Sequence, residues 1–274
     1  MKRLFPLLAL AALVSTLAAC GGGGGGSNDT TSTSATSSVP NPIVFCVDTT
    51  YPPAESIVNG KAAGYDIDIA DAVAKQLGST AQIKTTGFDV IIPALKQKKC
   101  NAIISSMTIT PERAKQVHFI PYLDVGTFLM VKKGNPSNVT DVASLSGKSA
   151  AVESATTQLA ALEAENKTLK KQGKPLITIR SYPADTSAAA AIQSGKVDAY
   201  LADATPVLYY IRTTGGKFET AGKQVGIAPE GLATRKGDPL GAQINNAIQA
   251  LYVKGQMKKI LAKWQASQFA LKNQ

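Results

Sequence analysis

The sequence predicts an α/β protein made of two similar, mainly parallel sheets, each covered by helices. Two observations carry this. From residue 43 onward, short Val- and Ile-rich runs alternate with segments whose apolar residues recur at helical spacing, the pattern of strand-helix-strand units. The unit also occurs twice: K-C-N-A-I-I-S-S from Lys99 lines up with K-V-D-A-Y-L-A-D from Lys196, each after a helical stretch and a short basic turn.

Taken in order, a first strand is expected over residues 43–48. A helix follows over 66–77, where Ala70, Val73, Ala74 and Leu77 share a face and Gly78 stands at the C-terminal cap position. A short strand over 81–85, a helix over 89–98 and a strand over 101–106 complete the first set. The second set comprises a strand over 149–152, a helix from Thr156, a strand from Leu176, a helix over 185–193 and a strand over 197–202. Ligands of open α/β sheets bind at the carboxyl ends of such strands.

Before residue 43 the chain has a different character. Residues 1–19 carry two basic residues and an apolar stretch too short for a membrane span of about 20 residues, and small residues precede Cys20. This reads as a cleaved lipoprotein signal peptide. Residues 21–42, six glycines and then a Ser/Thr-rich stretch, read as a flexible tether. The glycines match G-x-G-x-x-G formally, but no strand precedes them and no helix follows, so no dinucleotide site is expected.

The formal charge is +10, or +8 without Lys2 and Arg3. Its lysines are scattered and lack interleaved aromatics, so a solvated basic surface is expected and no nucleic-acid partner. One histidine, His118, leaves little for a metal site or a catalytic triad, and a structural role is expected for it. Neither a metal nor a cofactor is expected. Cys46 and Cys100 lie on or beside strands of one sheet and read either as a disulfide in an exported chain or as a buried free pair.

The densest chemistry is I-S-S-M-T-I-T-P-E-R from Ile104 to Arg113. Thr110 suits a helix cap, Pro111 the first helical position, and Arg113 adds a fixed charge, while Ser105, Ser106 and Thr108 supply hydroxyls. Together they suit a carboxylate. The internal echo places Ser106 and Asp203 at equivalent strand ends, so a cleft between the two units brings an arginine and an aspartate onto one zwitterion. Thr156 and Thr157 add a helix start, and Tyr51 and Phe88 stand at the rim. Singly, each has a plainer reading: Asp203 and the threonines as helix caps, Arg113 as a surface residue, Tyr51 as turn packing beside Pro52 and Pro53.

The stretches V-D-T-T-Y-P-P from Val47, G-Y-D-I-D-I-A from Gly64, F-D-V-I-I-P-A-L from Phe88, S-S-M-T-I-T-P-E-R from Ser105 and K-V-D-A-Y-L-A-D from Lys196 resemble the amino-acid-binding proteins that serve ABC importers. R-K-G-D-P-L from Arg235 and K-K-I-L-A-K-W from Lys258 also fit. The resemblance implies a two-lobed, type II periplasmic-binding-protein-like fold that closes on its ligand about a two-strand hinge. It implies lobe 1 over 43–128 and 228–274, lobe 2 over 129–227, and hinges near Phe128 and Gly226. It further implies that Arg113 binds the ligand carboxylate, Asp203 its ammonium group, Ser106 and Thr108 assist, Tyr51 and Phe88 flank the side chain, Asp48 reaches a side-chain nitrogen, and Thr156 and Thr157 donate from lobe 2. Cys20 is expected to carry lipid, and a monomer anchored only through that lipid to hand its cargo to a membrane permease.

Ala54 stands where the family usually has phenylalanine, and Glu153-Ser154-Ala155 replace the usual glycine before Thr156-Thr157. With Asp48 and Glu55 nearby, a basic or amide side chain is expected, although Glu55 can instead pair with a surface lysine. Two other classes stay open: a periplasmic dehydratase on the same fold, with Glu153 or Glu55 as proton donor, and a sensor that presents its closed form to a receptor.

Overall fold

The computed structural model describes residues 38–272. The predicted signal segment 1–19, Cys20 and the tether through residue 37 lie outside the described residues. The tether's end is packed: Val39 lies against the lobe 1 core and the Pro40 carbonyl accepts the Ser79 hydroxyl at 2.7 Å, so the expected flexible stretch to residue 42 ends earlier.

Lobe 1 begins with β1 (Ile43–Val47), β2 (Thr50–Tyr51), β3 (Glu55–Val58), β4 (Lys61–Ala63), α1 (Tyr65–Gln76) and β5 (Ala81–Thr85). A 3-10 turn leads into α2 (Ile91–Lys96), then β6 (Ala102–Ile103) and α3 (Pro111–Ala114). The long β7 (His118–Lys132) crosses to β8 (Ser149–Glu153), α4 (Thr157–Lys171), β9 (Thr178–Tyr182), α5 (Asp185–Gln193), β10 (Ala199–Asp203) and α6 (Ala204–Thr213). The equally long β11 (Phe218–Thr234) returns to α7 (Leu240–Val253) and α8 (Gln256–Lys263).

Strand order is β5-β1-β6-β11-β7-β10-β8-β9. β1 is parallel to β5 and β6, and β8 to β9 and β10, so each lobe is mainly parallel as expected. The two sheets are, however, one hydrogen-bonded surface, because β7 and β11 pair antiparallel with each other from Phe218↔Lys132 to Thr234↔His118. Their register shifts between Ala221, Val225 and Ala228, where Gly226 takes φ 62°. Gly126 faces that irregular stretch, and a Cβ there would come within 2.8 Å of the Val225 carbonyl oxygen. Bulges bend a strand, and these lie in the part of β11 paired with residues 125–129 of β7.

A second sheet, β2-β3-β4, was not expected. Its β3-β4 turn is Asn59-Gly60, with φ of 50° and 75°, the double left-handed conformation of a tight hairpin. The strand expected over 101–106 is shortened to Ala102–Ile103, because Ser106 adopts φ 39° and leaves the sheet.

Alternate residues of β8 serve opposite faces: Ala150 and Val152 pack with α4, and Ala151 packs with α5 and α6. In lobe 1, Ile43, Phe45 and Val47 of β1 pack against α1 and α7, while Cys46 points to the other face with Ile91 and Leu95. There Cys46 and Cys100 form a disulfide, with Cα atoms 5.7 Å apart. Among the described residues no helix is long and apolar enough to cross a membrane.

Candidate ligand-binding site

All nine residues singled out as ligand contacts line one cavity of about 290 Å³. Lobe 1 contributes Asp48, Tyr51, Phe88, Ser106, Thr108 and Arg113, and lobe 2 contributes Thr156, Thr157 and Asp203. Their positions follow from local structure. β1 ends at Val47, so Asp48 and Tyr51 stand just past a strand end; β10 ends on Asp203 itself.

Arg113 sits on α3, whose start is fixed by the Thr110 hydroxyl accepting the Arg113 N–H at 3.2 Å, with Pro111 at the first position. Its guanidinium donates to the carbonyls of Thr108 (2.8 Å) and of Ala155 in lobe 2 (3.0 Å), and lies 5.3 Å from the Phe88 ring centroid. Burial pulls its pKa down, and Asp203 and Tyr51 pull it back up.

Asp203 occupies the cap position of α6, yet its side chain makes no capping bond. It accepts instead from the Tyr51 hydroxyl (2.7 Å) and the Gln158 amide (2.6 Å). Burial pushes its carboxyl up to about 6, against the lowering effect of these donors and Arg113. Thr156 does cap α4: its hydroxyl accepts the Leu159 N–H (3.1 Å) and donates to the Glu153 carbonyl (2.8 Å). Thr157 donates to the Gln158 side-chain oxygen (3.1 Å).

Asp48 accepts the N–H groups of Thr50 (3.0 Å) and Phe88 (2.8 Å), and burial raises its carboxyl. The Ser106 hydroxyl and that of Tyr65 are 2.9 Å apart, while the Ser106 N–H donates to Asp66 (2.8 Å), which also accepts from Tyr122 (2.9 Å). Asp66 thereby replaces the sheet partner that Ser106 lost.

Four further residues line the cavity: Glu55, Ser105, Glu153 and Gln158. Gln158 was missed, although it directly follows the two threonines. Glu55 does not pair with a surface lysine: it is fully buried and accepts the Ser105 hydroxyl at 3.0 Å. Burial and nearby Asp66 hold its carboxyl well above the usual range. Among the described lining residues, four carboxyl groups, from Asp48, Glu55, Glu153 and Asp203, therefore face one cation, Arg113. His118 begins β7 and is not among the lining residues.

A family model for bacterial extracellular solute-binding proteins, family 3, matches residues 43–267. The chain is 32% identical over 243 residues to an ABC transporter arginine-binding protein of Escherichia coli K12, covering 83% of this chain and 92% of the relative. An ancestral arginine-binding protein bound to arginine superimposes with a TM-score of 0.75 at 34% identity, covering 82% of this chain and 98% of the other. An ancestral amino acid-binding protein described as a precursor of cyclohexadienyl dehydratase gives 0.73 at 33% identity, covering 82% and 95%. With the matched region running from β1 past α8 and the cavity set at the strand ends of both lobes, the chain belongs to the bacterial extracellular solute-binding proteins, family 3.

Proposed function

We propose that this family member captures an α-amino acid with a basic side chain between its lobes and delivers it to an ABC permease outside the cytoplasm. The observation that carries the reading is the excess of carboxyl groups over cations in the cavity. Arg113 takes the ligand carboxylate, with Ser106 and Thr108 beside it; Asp203 takes the α-ammonium group; Thr156 and Thr157 border it from lobe 2. Tyr51 and Phe88 flank the side chain, and its cation lies toward Asp48. An uncharged amide would leave more buried carboxyl groups without a counter-charge, which is costly. Arginine-binding relatives agree with this narrowing from basic-or-amide to basic.

The reading includes lobe boundaries near residues 128 and 227, a lipid on Cys20 as sole membrane attachment, and a monomeric chain. A ligand that touches both lobes binds the closed arrangement better than an open one and so shifts the population toward it. Calorimetric titration of the refolded, ligand-stripped full chain with arginine, lysine, ornithine, glutamine and glutamate tests it. Tight binding confined to the basic ligands is expected; preference for glutamate would overturn it.

One observation favours a second reading: Glu153 lines the cavity with its carboxyl held protonated at neutral pH, a usable general acid, and the likeness to a dehydratase precursor points the same way. Turnover of prephenate or arogenate by the purified chain would establish that reading in place of transport.

A further inference from the structure

We propose that Glu153 is a second receptor for the cationic end of the ligand side chain, losing its proton to solvent as that cation seats, so that capture is coupled to proton release. This rests on the basic-ligand reading above and adds a residue and a linkage to it.

Glu153 is the last residue of β8, directly before the turn in which Ala155 takes φ 61° and leads into α4. The strand end puts its side chain on the cavity wall in lobe 2, while Asp48 stands on the lobe 1 wall. The residue is only 4% exposed, and its Oε1 has no hydrogen-bond partner. Among the described lining residues Glu55 also keeps one unpartnered oxygen, Oε2, but its Oε1 is tied to Ser105. Asp48 accepts two backbone N–H groups, Asp203 accepts from Tyr51 and Gln158, and the Arg113 guanidinium is bound to two carbonyls. Glu153 is thus a buried carboxyl aimed into a ligand cavity with an unused acceptor.

The groups around it are almost all acidic. Asp48, Asp185 and Asp203 face it from three different elements, and the Tyr200 and Tyr210 phenols lie behind Asp185. Asp185 accepts the Tyr200 hydroxyl, and Tyr210 is 3.4 Å away. Among the described residues Arg113 is the one cation lining the same cavity. Burial, then Asp185 and Asp48, push the Glu153 carboxyl up to about 10. With no cation beside it the group therefore keeps its proton at neutral pH.

A guanidinium or ammonium group arriving between Asp48 and Glu153 changes this balance. The Glu153 O–H bond breaks, its proton passes to solvent, and the carboxylate accepts an N–H from the ligand, whose own charge is unchanged. A neutral side chain gives no such compensation and leaves the proton in place. Because Asp48 and Glu153 belong to different lobes, a forked cation that touches both also ties the lobes together.

The test is calorimetric titration of the full chain with arginine and with glutamine at about pH 8, in two buffers of different ionisation enthalpy, comparing wild type with Glu153→Gln. At that pH Asp203 and Asp185, raised to about 6 and about 7, have already ionised; Glu55 is also held up by burial, so the loss of release in Glu153→Gln assigns the proton to Glu153. For wild type and arginine, release of roughly one proton is expected, and none with glutamine. In Glu153→Gln the release should vanish and the preference for arginine over glutamine should fall about tenfold or more. Arginine binding by wild type with no buffer dependence of the heat would overturn the proposal, as would a variant that keeps its release. A wild-type heat that does not depend on buffer overturns the proposal even where the variant fails to fold. Wild type that binds no basic amino acid would instead overturn the basic-ligand reading itself.

Discussion

The Tyr51 hydroxyl donates to Asp203 Oδ2 at 2.7 Å across the two lobes, between residues 152 apart in sequence, and accepts the Asp203 backbone N–H at 3.1 Å. The phenol thus both positions the aspartate and bridges the cleft, a role that ring stacking alone does not supply. Tyr51→Phe keeps the ring and removes both bonds. A hydrogen bond to a charged group contributes about 1.5–3 kcal/mol. Ligand affinity should fall roughly tenfold to a hundredfold, chiefly through faster dissociation, as read by stopped-flow displacement.

Arg113→Ala should remove binding of every α-amino acid. Its guanidinium is the one cation among the described cavity residues, and loss of one partner from a desolvated ion pair costs about 2–5 kcal/mol or more. Arg113→Lys should recover little, because an ammonium group does not present the two parallel donors that a carboxylate accepts. Calorimetry with arginine and glutamine checks both variants; affinity within threefold of wild type would show that the carboxylate sits elsewhere.

Asp48→Asn separates side-chain recognition from carboxylate recognition. The amide oxygen can still accept one of the N–H groups of Thr50 and Phe88, but the negative charge is gone. The expected outcome is a smaller ratio of arginine to glutamine affinity, by about tenfold, with Arg113 still engaging both ligands. Competition between labelled arginine and unlabelled glutamine measures that ratio directly.

The elements set by local pattern were legible in the sequence. β5 and α5 fall on residues 81–85 and 185–193 as expected, and Arg113 and Asp203 reach one cavity because strand ends and helix caps are local features. Features made by distant contacts were not. β2-β3-β4 lacks alternating apolar residues, and its one signal was the Asn59-Gly60 pair. The sequence carries no signal that Asp66 is buried, and only the fold shows it and Glu55 packed around the Ser105-Ser106 bend. The continuous sheet depends on the pairing of two crossover strands about a hundred residues apart, which no local periodicity encodes.

The disulfide joins residues 54 apart and ties the start of β6 to the middle of β1. On the chain-entropy view, a cross-link closing a loop of that length stabilises the folded chain by about 4 kcal/mol. The double variant Cys46→Ser, Cys100→Ser should unfold at markedly lower urea concentration, and dithiothreitol should shift the wild-type protein in the same direction while leaving the variant unmoved. Neither cysteine lines the cavity, so ligand selectivity should persist in whatever fraction stays folded.

Buried carboxyl groups make stability depend on pH in a definite sense. Asp66 and Asp203 are raised to about 6 and Asp185 to about 7, and Glu55 and Glu230 are held well above the usual range, all chiefly by burial. In the unfolded chain these groups titrate near 4. Between these limits the folded chain holds more protons than the unfolded one, so stability is fully present below about pH 4 with respect to these groups and is lost as pH rises through 6 to 7. The urea midpoint of the ligand-free protein should therefore be lower at pH 8 than at pH 5. Asp66→Asn, which can still accept from Ser106 and Tyr122, should flatten that dependence near pH 6. A midpoint that rises steadily from pH 5 to pH 8 would mean that these carboxyl groups are solvated rather than buried.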